Sequence, residues 1–239
     1  EVDDRIGRVV DAIDNAGYGA NTVVILTSDN GPENTAMSQS LQFGKDPNGP
    51  LRGNKRDVWE GGTRVPFIVR WPGQAAVGLK VSNPIWQGDI FTTVAAFLHE
   101  ELPDTTAPDG ESFLNVIRGQ EKPDGNRPAL VMSSIRGDLG LKTVEGWKLI
   151  DSDGGGHATS WDANNNSISN AGTDGGFPKQ LFQINVDLGE TNNLISTLTD
   201  EASIRSELMT TTGFALLEQP ADRRGTEPPA LSTGSPENE

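Results

Sequence analysis

Apolar residues recur at helical spacing over residues 2 to about 16, where Val2, Ile6, Val9, Val10 and Ile13 share one face. Asp3 and Asp4 suit the start of such a helix and Gly17 its end. The pattern then becomes a continuous apolar run, Val23-Val24-Ile25-Leu26, which predicts a buried strand over 22–27. Thr27-Ser28-Asp29-Asn30-Gly31 follows it. Residues 32–50 are rich in Gly, Pro and Asn and read as a long surface loop. A charged, glycine-dense stretch over 51–66 leads into a second apolar strand over 67–71. A helix is expected over 89–99, capped by Asp89, with Ile90, Val94, Phe97 and Leu98 inward. A Pro/Asp loop over 103–111 and a short helix over 112–118 complete this half.

The character changes after a Gly- and Pro-marked boundary near 119–128. Short strands are expected at 129–134, 141–145, 147–151 and 181–184, with Glu145-Gly146 as the turn between the second and third. Residues 152–176 read as a long flexible hairpin tip. A helix is expected after Asp200, using Ile204 and Leu208, and the Pro-, Glu- and Ser-rich residues 219–239 as disordered. The organisation is thus α/β over 1–125, a small α+β subdomain over 126–218, and a tail.

Composition narrows the classes of partner. The 239 residues hold 34 acidic and 19 basic side chains, a formal charge of −15. That argues against nucleic acid or an acidic membrane surface as the main partner. The absence of cysteine excludes disulfides, thiolate metal sites and a cysteine nucleophile. No apolar run approaches a membrane span, and no leader peptide is evident. The sequence opens at Glu1 already inside the helical pattern, so it reads as a piece of a longer or processed polypeptide.

Two stretches carry candidate chemistry. A strand that ends in a polar cluster is where open α/β sheets bind ligands. Asp29 and Asn30 offer a carboxylate and an amide oxygen there, a pair suited to Ca²⁺ or Mg²⁺. The same residues equally make an Asn-Gly turn capped by Asp. Arg52, Lys55 and Arg56 form either a solvated basic turn or an anion pocket in which Gly61 and Gly62 allow close backbone approach. His99, ending a helix, suits the role of dipole partner. His157 follows Gly154-Gly155-Gly156 in a loop from which it could approach a substrate.

Taken together, the motifs resemble the carboxyl-terminal half of an arylsulfatase-type sulfatase of the alkaline-phosphatase-like superfamily. Val2-Asp3-Asp4-Arg5-Ile6-Gly7, Thr27-Ser28-Asp29-Asn30-Gly31, Arg52-Gly53-Asn54-Lys55 with Trp59-Glu60-Gly61-Gly62-Thr63-Arg64-Val65-Pro66, and Trp71-Pro72-Gly73 occur in the family's order. Asp109-Gly110-Glu111-Ser112-Phe113-Leu114, Gly146-Trp147-Lys148-Leu149-Ile150, Leu181-Phe182 and Gly189-Glu190-Thr191-Asn192-Asn193-Leu194 continue it. The resemblance implies an α/β fold: part of an alkaline-phosphatase-like sandwich with a mixed sheet, then a small antiparallel sheet plus helix. It implies that Asp29 and Asn30 ligate a divalent cation, commonly Ca²⁺ with Mg²⁺ as an option. Lys55 would contact the sulfate and the leaving group, and act as a catalytic residue. Arg52 and Arg64 are expected to be structural, Arg64 meeting Glu60 or another carboxylate, and Glu60 to brace its loop. The implied substrate is a sulfate ester of an aryl group, a carbohydrate or a small metabolite, and the implied location is periplasmic or secreted.

The sequence also departs from the family. The formylglycine nucleophile arises from a Cys/Ser-x-Pro-x-Arg motif upstream of the metal strand, and no such motif occurs here. Ser82-Asn83-Pro84-Ile85-Trp86 has Trp where Arg is required and lies after that strand. The formylglycine is therefore expected in a missing amino-terminal part, and the chain alone is expected to be inactive. A phosphatase or phosphodiesterase of the same superfamily and a non-catalytic binding module are the alternatives. Two-zinc relatives usually carry Asp-His where this chain has Asp29-Asn30, and an amide oxygen favours Ca²⁺ or Mg²⁺ over zinc.

Overall fold

The computed structural model describes residues 1–103, 105–120, 129–156, 159–161, 167–169 and 180–197. Residues 1–198 form one compact unit. Helix α1 (Val2–Asn15) begins with Asp3 and Asp4 in its first turn, and Gly17 follows at φ 82°, the left-handed geometry that a β-carbon disfavours. None of its residues is fully buried; Ile6, Val10 and Ile13 are half-buried, and Val2 and Val9 are exposed.

Strand β1 (Val24–Thr27) pairs antiparallel with β2 (Phe67–Arg70), Val24 opposite Arg70 and Thr27 opposite Phe67. Arg70 Nη2 reaches Asp14 Oδ1 at 2.7 Å and ties this ribbon to α1. The expectation of a buried β1 needs correction: all four residues are half-buried. Among the described residues β1 pairs with β2 alone, and a two-stranded ribbon leaves its faces partly open.

The expected loop over 32–50 also needs correction, because it contains helix α2 (Asn34–Gln42). Glu33 caps it by accepting from Asn34 N at 3.1 Å, and Met37 is fully buried beneath it. Polar composition hid a helix held by one cap and one apolar anchor.

After the short helix α3 (Glu60–Thr63) and β2 comes α4 (Asp89–Leu98). Gly88, not Asp89, is its cap residue. The buried Asp89 carboxylate turns back to accept from Trp86 N at 3.0 Å and Glu111 N at 2.9 Å. Thr93 and Ala95 are the other buried α4 residues, Ile90 and Phe97 are half-buried, and Val94 and Leu98 are exposed. The inward face is thus rotated towards the small residues, which allow the chain at Phe113 to approach and donate to Thr93 Oγ1 at 3.0 Å. Helix α5 (Leu114–Ile117) follows.

The second half is an antiparallel sheet of order β3-β4-β5-β8, formed by Ala129–Ser133, Leu139–Thr143, Trp147–Ile150 and Gln180–Gln183. Gly146 turns β4 into β5 at φ 87°. A separate pair, β6 (Thr159–Trp161) with β7 (Ser167–Ser169), lies between β5 and β8 in the chain. The mixed α/β architecture with a small antiparallel sheet is as expected. Residues 152–156, expected to open a flexible tip, are packed instead: Gly155 O accepts from Val58 N at 2.9 Å, and Gln180 Nε2 donates to Gly154 O at 2.9 Å. His157, the segment 121–128 and the helix expected after Asp200 lie outside the described residues.

The core joins the two halves. Val58 and Trp59, from the glycine-dense stretch, pack on Ile150, Phe182 and Ile184, with Met132 and Leu188 at the edge. Trp59 donates its indole N–H to Gln180 Oε1 at 3.0 Å, so its one polar atom is satisfied inside. Trp59→Ala should therefore cost about 3–5 kcal/mol in a urea titration. A loss under about 1 kcal/mol would show that this contact does not hold the halves together.

Candidate functional site at the end of strand β1

The backbone emerging from β1 is clamped to the glycine-dense segment. Gly31 N donates to Gly62 O at 3.0 Å. A β-carbon on Gly31 would strike Gly61 O, and one on Gly62 would strike the backbone oxygens of Asp57 and Asn54. Three glycines thus let two backbones pass where no side chain fits. One residue further on, Pro32 O accepts from Lys55 N at 3.0 Å. Asp29-Asn30 and Lys55, distant in sequence, are carried by segments hydrogen-bonded to each other.

Asp29 is exposed, and among the described residues its carboxylate makes no ion pair; Ser28 Oγ lies 3.5 Å from Asp29 Oδ1. Half-buried Asn30 donates from Nδ2 to Gly31 O at 2.9 Å, which leaves its amide oxygen for other partners. The side chain of Gln87 donates to Ser28 O and supports the turn from the far side. Among the described residues no group of three His, Asp or Glu side chains converges on a metal-sized site. Asp29 and Asn30 are hard oxygen donors of the type Ca²⁺ and Mg²⁺ prefer, so the donor chemistry fits such an ion. They supply two of the six to eight oxygens that Ca²⁺ takes.

The three cations of the basic turn have separate fates. Arg52 lies over the Trp59 ring, 3.7 Å from its centroid, and donates to Glu190 O at 2.9 Å. Arg56 Nη1 meets Glu33 Oε1 at 2.6 Å, and Lys55 Nζ stands 3.6 Å from Glu33 Oε2. The hydrogen bond from Arg56 holds the Glu33 carboxyl below its ordinary range. A single pocket built from all three cations is therefore not formed, because Arg52 turns to Trp59 and Glu190.

Behind this loop lies a buried ionic cluster that the sequence reading saw only in part. Glu60, 1 % exposed, accepts from Lys142 Nζ at 2.7 Å, Lys148 Nζ at 3.0 Å and Arg64 Nη1 at 3.1 Å. The expected Arg64–Glu60 pair and the bracing role of Glu60 are both present. Fully buried Glu190 meets the same Lys148 at 3.0 Å and accepts from Glu60 N at 2.6 Å. Burial alone would raise the Glu60 pKa, but Lys148 and Lys142 outweigh it and lower it to about 2. At Glu190 burial dominates, with the Glu60 charge adding to it; this outweighs Lys148 and the hydrogen bond from Glu60 N and raises its pKa to about 7. Burial works against the Lys148 ammonium, yet the two carboxylates hold its pKa above the ordinary value. A charged residue in the apolar strand Trp147-Lys148-Leu149-Ile150 was the available signal for this cluster.

A cavity of about 720 Å³ opens beside the turn. Asp29, Arg64 and Lys142 contribute polar groups to its wall, and Ile68, Leu130 and Met132 apolar ones. Lys55 is not part of that wall. His99, exposed at the end of α4, has a left-handed φ of 57° and serves as the helix cap.

The family profile described as Sulfatase matches residues 1–99. The chain is similar to the carboxyl-terminal part of sulfatases. It is 32 % identical over 214 residues to an N-acetylgalactosamine-6-O-sulfatase of Bacteroides thetaiotaomicron, covering 87 % of this chain and 40 % of that protein. It is 38 % identical over 119 residues to the steryl-sulfatase of Rattus norvegicus, covering 50 % of this chain and 21 % of that protein. A solved structure from work on glycosaminoglycan metabolism by Bacteroides thetaiotaomicron superposes with a TM-score of 0.65 at 29 % identity, covering 87 % of this chain and 42 % of that one. The phosphonate monoester hydrolase of Agrobacterium radiobacter shares the fold, with a TM-score of 0.55 at 21 % identity over 94 % of this chain and 42 % of that one. The chain thus spans less than half the length of these relatives.

Glu60 and Glu190 give the cluster opposite responses to pH. Glu60 contributes stability above its ordinary pKa of 4.5, and this is lost as pH falls from there to about 2. Glu190 binds its proton more tightly when folded, so stability declines as pH rises from 4.5 towards about 7. Glu190→Gln removes that titration. Its urea midpoint should vary less across this window than the wild-type midpoint, and parallel pH curves for the two proteins would contradict the assignment.

Proposed function

We propose that the chain is part of a sulfuric ester hydrolase, in which it supplies two oxygen ligands of a divalent-metal site and a cationic contact to the sulfate. The single observation that carries the reading is the clamp of the Asp29-Asn30-Gly31 turn on the segment bearing Lys55, through Gly31 N to Gly62 O and Lys55 N to Pro32 O, both at 3.0 Å. Asp29 and Asn30 would hold the cation, Ca²⁺ in preference to zinc because neither is an imidazole or a thiolate. When bound, such an ion withdraws charge from the sulfate oxygens.

Lys55 acts through its ammonium. A sulfate monoester spreads one negative charge over its oxygens, and cleavage builds further charge on the bridging oxygen. A compact point charge aimed there stabilises the transition state more than the ground state. Lys55 is carried on a backbone fixed at both ends, so it need not be reoriented at each turnover. The adjoining cavity, with basic and apolar walls, suits the organic portion of an anionic ester. The comparisons favour a sulfated carbohydrate among the substrate classes, and an exported location follows from the family resemblance. No helix among the described residues is long and apolar enough to cross a membrane.

The formylglycine motif is absent from residues 1–239, so the reading requires a nucleophile encoded elsewhere. The isolated chain should release no nitrophenol from 4-nitrophenyl sulfate. The gene should carry Cys/Ser-x-Pro-x-Arg in frame on the 5′ side of Glu1. In the enzyme that includes this motif, Lys55→Ala should lower kcat/KM for a sulfate ester by on the order of 10²-fold. Unchanged kinetics would remove Lys55 from the site, and turnover by the isolated chain would overturn the need for a second segment.

A further inference from the structure

We propose that Arg56 is a second anion-binding residue beside Lys55, and that the Glu33 carboxylate rests between them as an internal stand-in for a sulfate group. The identity of the anion rests on the sulfatase reading; the cradle itself is independent of it.

Two cations on adjacent residues converge on one carboxylate, one on each oxygen. Arg56 Nη1 takes Glu33 Oε1 at 2.6 Å and Lys55 Nζ faces Glu33 Oε2 at 3.6 Å. A sulfate presents a similar spread of charged oxygens and can occupy the same two donors. The three side chains are 32 %, 35 % and 37 % exposed for Arg56, Lys55 and Glu33, so a dissolved anion can reach them. Lys55 and Arg56 carry two positive charges against the one of Glu33, a local excess in a chain of formal charge −15.

The backbone supports a purpose for Arg56 beyond a surface ion pair. Its φ is 85°, a left-handed value that a side chain disfavours and glycine accepts freely. Two hydrogen bonds impose it: Lys55 N donates to Pro32 O at 3.0 Å, and Ile135 N donates to Arg56 O at 3.1 Å. The site therefore retains an arginine where glycine would be easier, directly after the lysine. Displacement of Glu33 needs no covalent step. The Glu33 carboxylate gives up the two cations and moves to solvent as the incoming anion takes them.

The test is calorimetric titration of the 239-residue chain with inorganic sulfate at low ionic strength. Glu33→Gln keeps an oxygen to cap α2 and removes the competing charge. It should bind sulfate several-fold more tightly than wild type. Adding Arg56→Gly should abolish that gain without lowering the thermal midpoint, because glycine is at ease at this φ; Arg56→Lys should retain part of it. Equal or weaker sulfate binding by Glu33→Gln, or undiminished binding after Arg56→Gly, would overturn the proposal. Lys55→Ala in the Glu33→Gln background separates the two readings. If it leaves sulfate binding intact while Arg56→Gly abolishes it, the role of Lys55 fails and the anion site at Arg56 stands.

Discussion

The buried Glu60 carboxylate is the contact on which the arrangement depends. It gathers Lys142 and Lys148 from the antiparallel sheet and Arg64 from the cap of its own helix, all within 3.1 Å. Taking a carboxylate out of water is costly, and three cations within hydrogen-bond range are what make its ionised form tolerable there. The shared lysine then has to serve Glu190 as well. Glu190, at a left-handed φ of 50°, caps the backbone N–H of Glu60 and receives Arg52 on its own carbonyl. The 52–60 segment is thereby held at both ends by one residue from the loop that follows β8.

The placement of the turn at the end of β1 is a consequence of that hold. Trp59 is driven into the core by burial, Glu60 is fixed by charge, and the chain between Arg52 and Trp59 has little freedom left. Gly61 and Gly62 follow immediately and permit the contact with Gly31. The turn bearing Asp29 and Asn30 is therefore oriented by interactions whose energetic source lies in the buried cluster behind it. The site residues themselves are exposed or half-buried and contribute little to stability. Their placement comes from buried neighbours, which is how a ligand-binding group can stay solvated and still be positioned.

Much of this was legible in the sequence, for identifiable reasons. The helical period of residues 2–16, the β-branched run before Asp29 and the Gly146 turn are local signals, and α1, β1 and the β4–β5 hairpin follow them. The order of motifs carried the family resemblance, since Asp29-Asn30, Lys55 and the Trp59-Glu60-Gly61-Gly62 run occur together. Helix α2 was missed because a capping glutamate and a single buried methionine leave almost no periodic pattern. The inward face of α4 was misjudged because Thr93 and Ala95 give a close approach that larger residues would block. The partition of Arg52 from Lys55 and Arg56 could not be read locally: its partners are Trp59 in the same loop and Glu190 at a separation of 138 residues. Long-range charge pairing leaves no periodic trace.

On the proposed reading, the Asp29-Asn30 turn and Lys55 form parts of one site. Paramagnetic broadening by Mn²⁺, a hard divalent probe for Ca²⁺ and Mg²⁺ positions, tests it most directly. On substoichiometric addition to isotopically labelled chain, the amide signals of Gly31, Lys55 and Gly62 should be lost early and should recover in Asp29→Ala. Broadening confined to other acidic segments, or unchanged in Asp29→Ala, would contradict it.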